Sequence, residues 1–299
     1  MQTKRIKRAV HGVLLLDKPY GFSSNQALQK VKWLYQAQKA GHTGTLDPLA
    51  TGVLPICFGE ATKFAQHLTD ESKTYVATVK FGVSTTTGDK EGEVVSEVAC
   101  QVSHADITHV LPQFMGEITQ VPPMYSALKV NGKPLYEYAR DGVELERQPR
   151  QVTIHALRVL ACEENSADIE VCCSKGTYIR TLGEDIGKAL NVGAHLTALR
   201  RTATATYQIA ETITIEALEQ MSMEQRDALL LPVDTAIERL PKIALHEDAA
   251  YYFKQGNPVW LSGAIPAGDL RIYSTAGLFL GIGQQQRDGR IAPKRVVNL

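Results

Sequence analysis

The sequence predicts an α+β fold followed by a small all-β module. Three observations carry this. Residues 74–83 alternate, with Tyr75, Ala77, Val79, Phe81 and Val83 on one face, which is the period of a strand. Two other stretches repeat apolar residues at helical spacing. These are Leu28, Val31 and Leu34 after the N-capping run Ser23-Ser24-Asn25, and Ile179, Leu182, Ile186 and Leu190 within 177–190. The last 45 residues then change character, with seven glycines between short apolar runs at 259–261, 270–273, 278–282 and 296–297. That composition, with a turn at Asp288-Gly289, is that of a compact barrel.

The remaining elements follow in order. Residues 41–52 hold three glycines and a proline without helical period and read as a loop. Val53 to Phe58 is a continuous apolar run, a buried strand. Ala61, Phe64, Ala65 and Leu68 return to helical spacing. Residues 88–92 read as an exposed acidic turn, with an apolar-rich strand near 94–102 after it. Residues 121–150 are turn-rich, carry five basic residues and read as a long excursion from the core, a length uncommon unless functional. Strands follow at 151–160 and 168–174, and helical patches surround Pro232 within 211–240. The expected domains are 1–245 and 246–299.

Composition narrows the partners. The 299 residues are 44% hydrophobic with zero formal net charge, which excludes a disordered chain. A zero sum also argues against a nucleic-acid partner, but the charge is uneven. Residues 1–80 hold 11 Lys/Arg against 5 Asp/Glu, and residues 81–120 hold 1 against 6. The apolar run 13–16 stops at Asp17-Lys18, too short for a signal peptide, and no stretch is long enough for a membrane-spanning helix. Five scattered cysteines, without a CxxC pair, fit a reduced cytoplasmic protein better than disulfides or zinc. Cys172 and Cys173 suit opposite faces of one strand.

The run Gly41-His42-Thr43-Gly44-Thr45-Leu46-Asp47-Pro48-Leu49-Ala50-Thr51-Gly52 is the most informative. Taken alone, an Asp-Pro in a loop is usually a turn aspartate. This one lies between a basic helix and a buried strand, with no second carboxylate in the loop and no metal-ligand spacing. A catalytic Asp47 would therefore act singly, as nucleophile or as acid/base. A glycosidase pair is not evident.

This loop resembles the signature of the TruB-type pseudouridine synthases, and further motifs come in that family's order. Leu16-Asp17-Lys18-Pro19-Tyr20-Gly21 resembles its Lys-Pro motif, and Tyr75 falls in its tyrosine strand. Cys173-Ser174-Lys175-Gly176-Thr177-Tyr178-Ile179-Arg180 and Ala198-Leu199-Arg200-Arg201-Thr202 resemble its arginine and leucine/arginine motifs. Residues 121–150 are similar to its RNA-gripping insertion, and the glycine-rich C-terminus to a PUA domain. The resemblance covers nearly the whole chain.

It implies a pseudouridine-synthase fold, a mainly antiparallel mixed sheet flanked by helices and loops, with a PUA-like barrel. It further implies conversion of the uridine at position 55 in the tRNA T-loop to pseudouridine. The base would be flipped out of its stack, a cost of a few kcal/mol that stacking on Tyr75 partly offsets. Asp47 would be the essential aspartate, attacking C1′, adding to uracil C6 or removing a sugar proton. Arg180 would be its partner, since an adjacent arginine favours a charged carboxylate. His42 would stabilise the flipped-out arrangement, Tyr178 and Leu199 would wall the pocket, and Lys18 would position the loop. Lys4, Arg5, Lys7, Arg8, Lys129, Lys133, Lys294 and Arg295 are candidates for RNA phosphates. Isomerisation involves no redox change or phosphoryl transfer, so no cofactor or metal is expected, and a monomer needing no protein partner is the default. The alternatives are a guide-RNA-dependent synthase subunit with the same chemistry, or a non-catalytic RNA-binding or RNA-folding protein. The short C-terminal module and the presence of Asp47, Tyr75 and Arg180 favour the stand-alone enzyme.

Overall fold

The computed structural model describes residues 7–261, 263 and 265–299. Lys4 and Arg5 lie outside these. In chain order the strands of the main sheet and its ribbons are β1 (Gly12–Lys18), β2 (Ala40–His42), β3 (Ala50–Phe58), β4 (Lys73–Phe81), β5 (Val83–Thr85), β6 (Val94–Glu97), β7 (Gly116–Gln120), β8 (Lys129–Val130), β9 (Lys133–Pro134), β10 (Arg150–Glu163), β11 (Ser166–Cys173), β12 (Ala194–Thr204) and β13 (Tyr207–Gln208). The main sheet runs β1-β3-β12-β4-β11-β10-β7, with β2 beside β3 and β13 beside β12. Its pairings are antiparallel except β3 with β12, where Leu199 lies opposite Ala50.

One face of this sheet forms the main core. Tyr75, Ala77, Val79 and Phe81 of β4 share one apolar cluster with Leu28, Val31 and Leu34 of helix Ser24–Leu34 and with Leu182 and Ile186 of helix Ile179–Ala189. The first helix starts where expected, because Ser23 and Gln26 form a reciprocal capping box. Val53 and Cys57 of β3 and Val13 and Leu15 of β1 feed a second core, which explains why these strands lack alternation. That core includes Tyr273, Phe279 and Val297, so the C-terminal module packs directly on the sheet. The Phe64 and Phe279 rings meet edge-on, with centroids 5.7 Å apart.

The C-terminal sheet runs β14 (Lys242–Leu245), β15 (Asp269–Ser274), β16 (Phe279–Gln285) and β17 (Ile291–Val296). The module is not purely β, since it carries helix Glu247–Lys254 with Ala250 and Phe253 turned inward. No helix among the described residues is long and apolar enough to cross a membrane.

Three local expectations change, and one strand appears that the sequence did not announce. The loop expected over 41–52 shortens to 43–49, because its ends are taken up by β2 and β3. The strand expected near 94–102 stops at Glu97, since its partner β5 is three residues long. The turn 88–92 is not simply exposed, for Asp89 is 3% accessible. Finally, β12 was hidden in the sequence by adjacent charges at Arg200-Arg201, yet it lies between β3 and β4.

Candidate active site

The loop 43–49 is held from three sides. Ser24 is buried at the start of its helix, where its hydroxyl accepts from the Leu46 N–H (2.8 Å) and donates to the Leu46 carbonyl (3.0 Å). Arg201 is 1% exposed, and donates from Nε to the Val53 carbonyl (2.6 Å) and from Nη2 to the Gly44 carbonyl (3.0 Å). The Gly21 N–H donates to the Pro48 carbonyl (2.9 Å). Gly52 lets this assembly close, because a Cβ there would stand 2.2 Å from the Arg201 carbonyl oxygen.

So fixed, the loop presents Asp47 to a cavity of about 580 Å³. Arg180 Nη2 lies 2.9 Å from the Asp47 carboxylate. The same guanidinium donates to the carbonyls of Thr87 (2.8 Å) and Tyr125 (2.6 Å), and its Nε lies 3.6 Å from Asp89. One buried arginine thus joins the loop bearing Asp47, the acidic turn and the segment 121–149. Its helix is anchored by the buried Gln120, whose amide accepts from the Tyr178 N–H (3.0 Å) and donates to the Tyr178 carbonyl (3.2 Å).

Tyr75, Tyr178 and Leu199 line the same cavity. Tyr75 stands opposite Arg201 on the neighbouring strand, and burial raises its phenol above the ordinary value. The Tyr178 ring lies 4.7 Å from the Arg150 guanidinium. Lys18 and His42 do not line the cavity. Lys18 is fully buried, donating to the carbonyls of Pro19 (2.9 Å) and Phe22, and burial lowers its ammonium to about 8. His42 sits on β2 with Nδ1 buried and without a hydrogen-bond partner, and burial followed by the Arg201 charge lowers its pKa.

The candidate phosphate contacts divide. Lys7, Lys129 and Arg295 are exposed. Arg8 pairs with Asp227, Lys133 with Asp141, and Lys294 with Asp269, so these three already hold carboxylates. Among the described residues no three His, Cys, Asp or Glu side chains gather as a metal site. A larger cavity of about 630 Å³ lies beside the insertion and includes Thr87, Tyr125 and Thr181, but neither Asp47 nor Tyr75.

Sequence reasoning gave no role to Arg201, Lys73, Asp89 or Gln120. Two were findable by strand parity. Lys73 lies two residues before Tyr75 on one face of β4, and Arg201, next to Arg200, points to the opposite face of β12. Lys73 caps the end of helix Ala65–Asp70 by donating to the Thr69 carbonyl (2.6 Å), and burial lowers it to about 8. Asp89 and Gln120 carried no local signal.

The sheet, with a single carboxylate on a glycine-rich loop beside an arginine, has the fold of the pseudouridine-synthase class. The chain belongs to the TruB family of pseudouridine synthases. Residues 32–179 match the family's N-terminal domain (TruB family pseudouridylate synthase), residues 180–238 the tRNA pseudouridylate synthase B C-terminal domain, and residues 241–297 a further pseudouridine synthase II TruB C-terminal model. Relatives named tRNA pseudouridine synthase B include that of Methylobacillus flagellatus, 56% identical over 99% of this chain and 98% of the relative. That of Stutzerimonas stutzeri is 52% identical over 99% and 98%. Among solved structures, a Cbf5-Nop10-Gar1 complex contains a chain with TM-score 0.70 and 28% identity, over 92% of this chain and 78% of that one. An H/ACA RNP bound to a substrate RNA, at TM-score 0.73 and 22% identity over 100% and 93%, shares the fold.

Proposed function

We propose that this protein isomerises uridine 55 in the T-loop of tRNA to pseudouridine, with Asp47 as the essential carboxylate. The observation that carries this is the Asp47–Arg180 pair, set at 2.9 Å in a cavity walled by Tyr75, Tyr178 and Leu199. The two full-length relatives named above are both tRNA pseudouridine synthases B, which supports tRNA as substrate. Breaking the N1–C1′ bond and joining C5 to C1′ conserves every atom, so what the site must do is extrude, hold and turn a base. Tyr75 stacks on the flipped uracil, Leu199 and Tyr178 confine it, and Arg180 holds the Asp47 carboxylate toward it. His42 supports the vacated place in the loop, and Lys18 holds the catalytic loop from below.

Residues 1–245 act as the catalytic domain, with 121–150 as the segment that grips RNA. Residues 246–299 act as a PUA-like RNA-binding module in which Arg295 faces phosphate, as Lys129 does in the insertion, while Lys294 and Lys133 reach phosphate by leaving Asp269 and Asp141. The protein works alone, as a cytoplasmic monomer. The test is incubation of an unmodified tRNA transcript with the purified protein and carbodiimide mapping of pseudouridine. Modification at position 55 without added RNA or protein is the expected result, and it disposes of the guide-dependent alternative. Asp47→Asn abolishes modification while tRNA binding stays within a few-fold. Near-wild-type modification by Asp47→Asn refutes the assignment.

A further inference from the structure

We propose that Tyr20, flanked by Phe22, is a stacking platform for a nucleobase neighbouring the target uridine, outside the cavity that receives the target itself. This rests on the reading that the substrate is a folded tRNA loop.

Two large side chains stand in solvent here, Tyr20 at 54% and Phe22 at 38% exposure. The turn that carries them is nonetheless rigid. The buried Lys18 ammonium donates to the Pro19 and Phe22 carbonyls, so a single cation ties both ends of the turn. The Gly21 N–H donates to the carbonyl of Pro48, the residue after Asp47. Tyr20 is therefore held in a fixed relation to the catalytic aspartate, and a partner stacking on it meets a surface already ordered.

The charges around this rim select what can dock. The Lys90 ammonium lies 4.9 Å from the Tyr20 ring centroid, occupying one face of the ring. Lys90 is itself flanked in the acidic turn by Asp89 and Glu91. The exposed Lys90 is followed by the exposed Glu91, so the rim carries no net cation to hold a backbone phosphate, whereas a neutral base needs none. The free ring face thus favours a base over a phosphate. Need and supply also match. Extruding one base unstacks its neighbours, and an aromatic ring restores a stack without regard to sequence.

The experiment compares wild type, Tyr20→Ala and Tyr20→Trp on an unmodified tRNA transcript. A lost base–aromatic stack raises KM about five- to hundredfold in Tyr20→Ala while kcat at saturation stays within about twofold. The thermal midpoint of Tyr20→Ala remains within about 1 °C of wild type, because the ring is largely in solvent. Tyr20→Trp keeps the wild-type KM, and its added indole emission, taken as the difference from wild type, is quenched by the transcript. A wild-type KM in Tyr20→Ala, or indole emission unchanged at saturating RNA, overturns the platform. The titration is read apart from catalysis. A protein that binds the transcript yet leaves uridine 55 intact refutes the proposed function, and the quenching still decides the platform.

Discussion

Arg201→Lys removes a fork while keeping a positive charge, and so isolates geometry from electrostatics. The native guanidinium donates to two backbone carbonyls, Val53 at 2.6 Å and Gly44 at 3.0 Å, from a position 1% exposed. Hydrogen bonds to a charged donor contribute about 1.5–3 kcal/mol each, and a lysine ammonium, a point donor, can keep one of the two. The expected loss is about 1.5–3 kcal/mol, or about 3–12 °C in thermal midpoint at about 2–4 °C per kcal/mol. A functional loss accompanies this, because Gly44 lies three residues before Asp47 in the same loop. A displacement of about 1 Å at the reacting group costs roughly a hundredfold in rate. The assay pairs thermal unfolding by circular dichroism with single-turnover modification of an unmodified transcript under excess enzyme. A variant with both the wild-type midpoint and the wild-type rate would refute the idea that Arg201 seats the loop bearing Asp47.

Gly52→Ala places a Cβ 2.2 Å from the Arg201 carbonyl oxygen at a residue with φ +102°. The backbone strain and overpacking together cost about 2–5 kcal/mol, read as a lowered thermal midpoint, and an unchanged midpoint contradicts the close approach. For His42, burial and then Arg201 lower the pKa, so the folded protein resists a proton that the unfolded chain accepts near 6.5. Its contribution to stability is therefore complete above that value and lost as the pH falls below it. His42→Asn accordingly flattens the loss of stability between about pH 7 and about pH 5, measured by urea unfolding, and parallel curves count against a neutral, half-buried His42.

Several elements were legible because their signal is local. The Ser23–Gln26 box and the spacing of Leu28, Val31 and Leu34 announce a helix, and the alternation from Tyr75 to Phe81 announces a strand. The strand β12 escaped because Arg200 and Arg201 break an apolar pattern. Each arginine is answered by a group remote in sequence, Asp17 for Arg200 and the Val53 and Gly44 carbonyls for Arg201. The strand expected near 94–102 failed the other way. Val94, Val95 and Val98 are apolar but exposed, since no sheet covers them. An apolar residue states a preference for burial, and only a neighbour can grant it.

At the site the division is equally physical. The amino-acid order alone determined the family, the loop bearing Asp47 and the identities of Tyr75, Arg180 and Leu199, because motifs are read along the chain. It could not assign Asp89, which looked like a solvated turn carboxylate. Asp89 is buried because the turn docks against Arg180, 91 residues further on. Nor could it show that one guanidinium holds Asp47, Thr87 and Tyr125 together. Such contacts form when the sheet brings distant strands and loops to one edge. The sequence by itself supplied the motifs that bear Asp47, Tyr75, Arg180 and Leu199. Only the tertiary structure decided which of them share a hydrogen-bond donor, because charge and burial depend on distance in space rather than along the chain.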